Sequence, residues 1–359
     1  MATFTPLPGD AAGLQSYGAK YDRIATSIAG GETPDVSMLG STWVGEFGAT
    51  GALEPTPEGL VDESTFFEGS WGTSVVDRTA YGVPWYVDTR VLYYRTDLAE
   101  QAGVTAPTTW DEFTQFAAAL KENGAESGVS LTPGGTDGWQ YVMPFVWQAG
   151  GDILSEDGTT FTLDSPEMKK GFEYYKSFFD DGSAKPERLE TGEIEQEFID
   201  GNVASFFSGP FHVSLLLEQG GADFADKFAV AEVPGDQSRT SFTGGGNLAV
   251  FNDSDNRDTS WKFVRWLSQP EVQAEWYGIS TDLPSVASTY DDPTFADDPY
   301  LSVFGEQLND SKAPPAIPTW AQISAVIDQE LEKVVLGETT VDEALASMQS
   351  QAESIGTGQ

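Results

Sequence analysis

Four residues in one short span of the chain, Trp85, Tyr86, Asp88 and Arg90, set two flat rings beside both charge signs. Rings stack on the apolar faces of a ligand, while a carboxylate and a guanidinium offer planar acceptors and donors to its polar groups. Such a set suits recognition of a small polar molecule. The surrounding run, residues 81–95, is rich in β-branched and aromatic side chains and predicts one long strand. Two readings of that strand stand side by side. It is a core or edge strand whose Asp88 and Arg90 face solvent, or it crosses between two lobes and offers its polar groups to a ligand in the crevice.

Two further stretches bear on the choice. GNVASFFSGPF at 201–211 predicts a strand running into a tight turn at Gly209 and Pro210 that opens a helix, which brings backbone N–H groups and the Phe211 ring toward a ligand. TGGGNLAVF at 243–251 predicts a strand in which Gly245 lets the backbone approach a ligand or bend, and Asn247 adds a planar amide. A nucleotide loop is disfavoured there, because a dinucleotide fingerprint opens a helix and no P-loop lysine occurs. His212 is the only histidine, too little for a metal cluster or a triad, and reads as structural. A glycosidase would need a carboxylate pair, and none is visibly matched to Asp88. Glu193, Glu195 and Glu197 lie around the start of an amphipathic helix with Ile194 and Phe198 and read as its solvated face. No enzymatic activity, metal or cofactor is therefore expected.

Other elements position these stretches. Residues 2–7 predict a strand, 16–28 a helix and 35–39 a second strand that leads into a turn at Trp43. Thr109 to Glu112 forms a capping box, and Ser165-Pro166 starts a helix with Met168, Phe172, Tyr175 and Phe179 as its buried stripe. A proline-rich approach at 313–319 leads to a helix that begins at Trp320, carries Ile323, Val326, Ile327, Leu331 and Val334, and stops at Gly337. Thr340 caps a last helix. Strands alternating with helices give an α/β class.

The chain has 359 residues, enough for two lobes. Its 18 Lys and Arg against 57 Asp and Glu leave a formal net charge of -39, which excludes nucleic-acid binding by phosphate neutralisation and disfavours an anionic membrane surface. The acids are spread along the chain, as on a solvated surface. With no cysteine, disulfides, thiolate metal sites and cysteine nucleophiles are excluded. No stretch approaches the ~20 apolar residues of a membrane span. Residues 1–31 lack the basic start and apolar run of a signal peptide, so a leader is expected to be absent from this sequence.

The run PWYVDTRVLYYR resembles the domain-crossing segment of the extracellular sugar-binding proteins that serve ABC importers, relatives of the maltose-, trehalose- and chitobiose-binding proteins. IAGGETPDVSMLGSTWVGEFGATGAL resembles the helix, strand and loop at the mouth of their first lobe, and the resemblance extends from residue 2 to about 350. It implies a two-lobed, periplasmic-binding-protein-like fold of type II with discontinuous lobes, 1–88 with 247–308 and 89–246 with 309–359, joined by hinge crossings. The family opens with another strand and helix, which the first lobe here is expected to lack. Ligand contacts are implied for Trp43, for Trp139 and Tyr141 where the second lobe enters the crevice, for Phe211 where relatives often carry Trp, and for Trp320. The implied activity is extracytoplasmic capture, by a monomer, of a di- or oligosaccharide such as a maltose- or trehalose-type α-glucoside or chitobiose. The cargo then passes to the permease subunits in the membrane. The same architecture also suits a polyamine or other cation, since acidic clefts with aromatic walls hold ammonium groups; Arg90 argues against that reading.

Overall fold

A computed structural model describes residues 17–358; the strand expected at 2–7 lies outside them. In chain order the strands are β1 (Val36–Gly40), β2 (Val75–Val76), β3 (Thr79–Ala80), β4 (Val83–Thr89), β5 (Val91–Arg95), β6 (Ser205–Ser208), β7 (Phe228–Ala231), β8 (Ser241–Val250), β9 (Leu283–Pro284) and β10 (Ser311–Lys312). One sheet runs β1-β8-β4-β9 with β10 added to β8, a second runs β6-β5-β7, and β2 pairs with β3.

Residues 81–95 thus form two strands rather than one. β4 belongs to the first sheet and β5 is the centre of the second, so the chain changes sheets at Arg90. The break has a local cause. The Arg90 carbonyl leaves the ladder and accepts from the Ser241 hydroxyl at 2.7 Å, and the buried Thr89 hydroxyl donates to the Phe242 carbonyl at 2.7 Å. Both partners stand at the start of β8, which pairs with β4 in the first sheet.

Alternation along each strand then feeds a separate core on each face. On β5, Leu92 enters one core with the helices Trp110–Glu122, Trp139–Gln148, Pro166–Asp180, Trp320–Val335 and Val341–Ile355. Tyr93 enters another with the helices Glu193–Asp200, Phe211–Gly220 and Leu301–Leu308. In the first sheet, Leu39 and Ala249 pack under the helix Tyr17–Gly30, while Leu248, Val250 and Trp85 pack under the helix Arg257–Leu267. Sheets covered by helices on both faces are the expected α/β layering. The largest wholly buried rings, Trp139, Tyr93, Tyr175 and Phe113, all lie in the two cores flanking β5, where each contributes roughly 2–3 kcal/mol.

Local signals hold where they are short in range. Thr109 and Glu112 exchange side-chain to backbone bonds at 3.2 Å each, Ser165 caps its helix, and Thr340 with Glu343 makes a second capping box. The buried stripe of the helix Pro166–Asp180 ends on Phe178, not on the expected Phe179, which is half-buried. Phe178 is one turn from Tyr175, and the stripe follows that spacing.

The register between β4 and β8 shifts between Pro84 and Tyr86, so Trp85 is the extra residue of a bulge. Nearby, Gly245 has φ +118°, and a Cβ there would lie 2.2 Å from the Tyr86 carbonyl oxygen. Only glycine fits this junction. Gly245→Ala is therefore expected to lower stability by at least ~1–3 kcal/mol, the usual cost of one strained backbone residue, with the clash adding to it. Gly278→Ala, in the helix Pro270–Ser280 with open space at its Cβ, is expected to raise stability by about 0.5–1 kcal/mol. Paired denaturant melts of the two variants read both signs.

Candidate functional site

A cleft of about 750 Å³ opens between the two main sheets, and the crossing strand forms its floor. Tyr86 and Asp88 point into it from alternate positions of β4, followed by Arg90 at the break. Trp85 points the other way. It is 8 % exposed, packs with its ring 5.3 Å from Trp276 beneath the helix Arg257–Leu267, and is not a cleft residue as expected. As the extra residue of the bulge, Trp85 is turned into the core under that helix while Tyr86 lines the cleft.

Arg90 is held by three neighbours, while its buried Nε has no hydrogen-bond partner. Its guanidinium forms an ion pair with Asp88, donates from Nη2 to Gln140 Oε1 at 3.2 Å, and lies 5.4 Å from the centre of the Phe242 ring. Burial works against its charge, and the Asp88 carboxylate, with Tyr141 and Tyr93 adding, outweighs that effect and holds the guanidinium above its ordinary value. Gly209 borders the pair. A Cβ at that position would stand 2.5 Å from Asp88 Oδ1 and 2.7 Å from Arg90 Nη1, while the Gly209 carbonyl accepts from the Tyr93 hydroxyl at 2.6 Å. Gly245 also lines the cleft.

The walls are aromatic. Trp139 and Trp320 meet edge to face at 4.9 Å on one side, with Phe242 5.4 Å from Trp139. Asp328 fixes this wall by accepting from the backbone N–H of Asp137 at 2.9 Å and of Trp139 at 2.8 Å, and burial pushes its carboxyl up to about 6 in spite of those bonds. Opposite stand Trp43 and Tyr21, 5.6 Å apart; the Tyr21 hydroxyl donates to Glu46 at 2.5 Å. Burial and that carboxylate push Tyr21 up to about 12. Phe211, at the first turn of its helix, lines the cleft and is 45 % exposed.

Two more expected contacts lie elsewhere. Asn247 is 1 % exposed, and its amide donates to Thr73 Oγ1 at 2.9 Å, which ties β8 to the end of the helix Glu68–Gly72 instead of meeting a ligand. Tyr141 borders a side pocket of about 150 Å³ behind Arg90, together with Ser208 and His212, not the cleft itself.

Sequence reasoning missed Tyr21, Glu46, Gln140, Phe242 and Asp282, all of which line the cleft. Tyr21 lies within the helical spacing of 16–28; Asp282 follows Thr281, whose φ of +63° turns the chain inward, and local sequence carries no sign of that. Asp282 accepts from the Trp276 indole at 3.2 Å. Burial raises its carboxyl, the bonds from Trp276 and Ser280 oppose this, and the nearby Asp88 charge adds to the rise.

Glu195 is 0 % exposed and so is not on a solvated face. Its helix turns Ile194, Glu195 and Phe198 inward, and the carboxylate accepts from the Gly192 N–H at 2.5 Å. His212 faces it: Nδ1 is 2.6 Å from Ser208 Oγ, and Nε2 is 3.3 Å from Glu195 Oε1. Burial, with the Arg90 charge adding, pushes His212 down to about 3, so the ring is neutral; Ser208 holds it, while Nε2 and Glu195 Oε1 face each other without a hydrogen bond. Among the described residues no group of three or more His, Cys, Asp and Glu is placed to hold a metal ion.

Residues 14–303 match the sequence profile of the bacterial extracellular solute-binding proteins. A binding protein of Brucella abortus is 28% identical over 341 residues, 93% of this chain and 82% of its own. The sugar-binding protein MalE of Xanthomonas citri superposes with a TM-score of 0.88 at 31% identity, covering 94% of this chain and 87% of that one. The GacH receptor of Streptomyces glaucescens, solved unliganded and with acarbose, superposes with a TM-score of 0.80 at 26% identity, covering 94% and 88%.

The placement of Trp85 predicts that Trp85→Ala lowers stability by about 3–5 kcal/mol in a denaturant titration, the cost of emptying a large core site. His212 sets a pH signature. Its folded value near 3 lies below the ordinary 6.5, so between these the unfolded chain takes up a proton that the folded chain refuses. The stability involved is full above pH 6.5 and is lost as pH falls toward 3. His212→Gln should therefore lose less stability than the parent on acidification from about pH 6.5 to 4.5, by about 2 kcal/mol, read from melts at each pH.

Proposed function

The chain belongs to the family of bacterial extracellular solute-binding proteins, and from that premise we propose that it captures a di- or oligosaccharide in the cleft and delivers it to the permease subunits of an ABC importer. The observation that carries this reading is the cleft itself: walls of Trp43, Tyr86, Phe211 and Trp320 with a polar floor of Asp88 and Arg90, set where one strand passes between two sheets. Aromatic faces match the C–H surfaces of pyranose rings, and the polar floor serves their hydroxyls. The names of the relatives in Xanthomonas and Streptomyces, a sugar-binding protein and a receptor solved with acarbose, support the same class of cargo.

The lobes follow from the same reading. Residues 1–88 with 247–308 form one lobe and 89–246 with 309–359 the other, with Arg90 beside the first crossing and β8 at the second. The helix Leu301–Leu308 spans the division, because Gln307 accepts from the Val233 N–H at 2.8 Å and donates to the Arg239 carbonyl at 2.9 Å. Closure is a hinge motion of one sheet toward the other about these crossings. Capture rather than catalysis fits the relatives, which are binding proteins, and the site of action is extracytoplasmic. Among the described residues no helix is long and apolar enough to cross a membrane.

Calorimetric titration against maltose, trehalose, diacetylchitobiose and spermidine, with melting of the same samples, tests the proposal. One sugar is expected to give saturable heat and to stabilise the protein by ~2.7 kcal/mol at a hundred times its Kd. Phe211→Ala is expected to weaken that binding about tenfold, near 1.4 kcal/mol, with little effect on the unliganded melt, since the ring is half in solvent. Heat with no carbohydrate would sink the reading.

A further inference from the structure

We propose that the ligand is an amino sugar with an unacylated, protonated nitrogen, its ammonium directed at Asp282. The inference rests on the carbohydrate reading above and adds the charge of the cargo.

Five carboxylates line the cleft, Asp22, Glu46, Asp88, Asp137 and Asp282, against one cation, Arg90. As a free cation Arg90 would repel an ammonium group. The structure removes that objection: paired with Asp88, bound to Gln140 and laid on Phe242, it is half of a neutral unit. No Lys or Arg of the described residues lies within ion-pair distance of Asp22, Glu46, Asp137 or Asp282. Their charge is left for the ligand to answer.

Acids abound over this whole chain, but water and counterions screen those on open surface. A deep cleft with low-dielectric ring walls focuses the field of its acids instead. Asp282 is the sharpest case, since it sits half-buried with its carboxyl raised by burial and, in part, by Asp88, so a cation brought there relieves both effects. Ionised carboxylates only accept hydrogen bonds, whereas an ammonium brings three donors and a sugar hydroxyl one. Trp43, Tyr86 and Trp320 then stack the pyranose ring and add cation–π attraction. Uronates and sugar phosphates are excluded by the same field.

Three disaccharides that share one β-1,4 skeleton separate the charge from the sugar: the free-amine dimer of glucosamine, its diacetylated form, and cellobiose. At about pH 6 the amine form is expected to bind at least tenfold tighter than the other two, and to lose most of that advantage near pH 9, above the ~8 of an amine beside an electron-withdrawing group such as a peptide α-amino group. Asp282→Asn, or Glu46→Gln should the first variant fail to fold, is expected to cut the preference for the amine form over cellobiose at least threefold. Equal or tighter binding of either uncharged dimer, or binding confined to maltose or trehalose, would overturn the inference and leave the carbohydrate reading intact. Absence of binding by these dimers and by the neutral sugars alike would overturn both.

Discussion

The molecule depends on an ion pair that its fold half-hides. Arg90 stands where the chain leaves one sheet for another, so neither ladder takes its carbonyl and neither core can accept its side chain. A charge in such a place without a partner costs several kcal/mol, and removal of one member of a buried pair typically costs about 3–5 kcal/mol. The pair is therefore over-determined by segments distant in sequence: Asp88 from β4, Gln140 from a helix, Phe242 from the return strand, and the bare backbone of Gly209 after β6. Junction and binding floor are one object. The groups that would meet a ligand are the same groups that let one strand serve two sheets.

The architecture around that junction is economical in its use of alternation. Leu92 and Tyr93, adjacent on β5, anchor different cores, and Trp85 and Tyr86, adjacent on β4, face core and cleft. Trp85 still acts on the cleft at one remove. Its ring backs Trp276, whose indole N–H holds Asp282 at the cleft wall, so a residue outside the cleft sets the position of an acid that lines it.

What the sequence disclosed follows the range of the interactions involved. Capping boxes at Thr109 and Thr340 and the proline start at Ser165 depend on neighbours three residues away, and they stand as read. The crossing strand and the glycine-rich return were legible because their composition is unusual for ordinary strands. Three readings failed where a long-range partner decided the matter. Trp85 and Asn247 were judged by residue type, yet the strand's bulge sends one to a core and Thr73 claims the other. Glu195 looked solvated until His212, on a separate helix, closed over it. Tyr21, Glu46 and Asp282 enter the cleft only through the tertiary path of their segments, which no local pattern announces.

Gly209 has an evolutionary consequence. Its Cα lies so close to Asp88 and Arg90 that a methyl group there would meet the ends of both side chains, so mutation explores this position only by shifting the ion pair. Gly245, against the Tyr86 carbonyl, has less room still. The floor of the cleft is frozen by geometry, and a lineage that changes cargo must do so at the rim, through the exposed Phe211 and the carboxylates of Asp22 and Asp137. Diversity among descendants of this chain should collect in that ring of replaceable side chains, around a centre that does not drift.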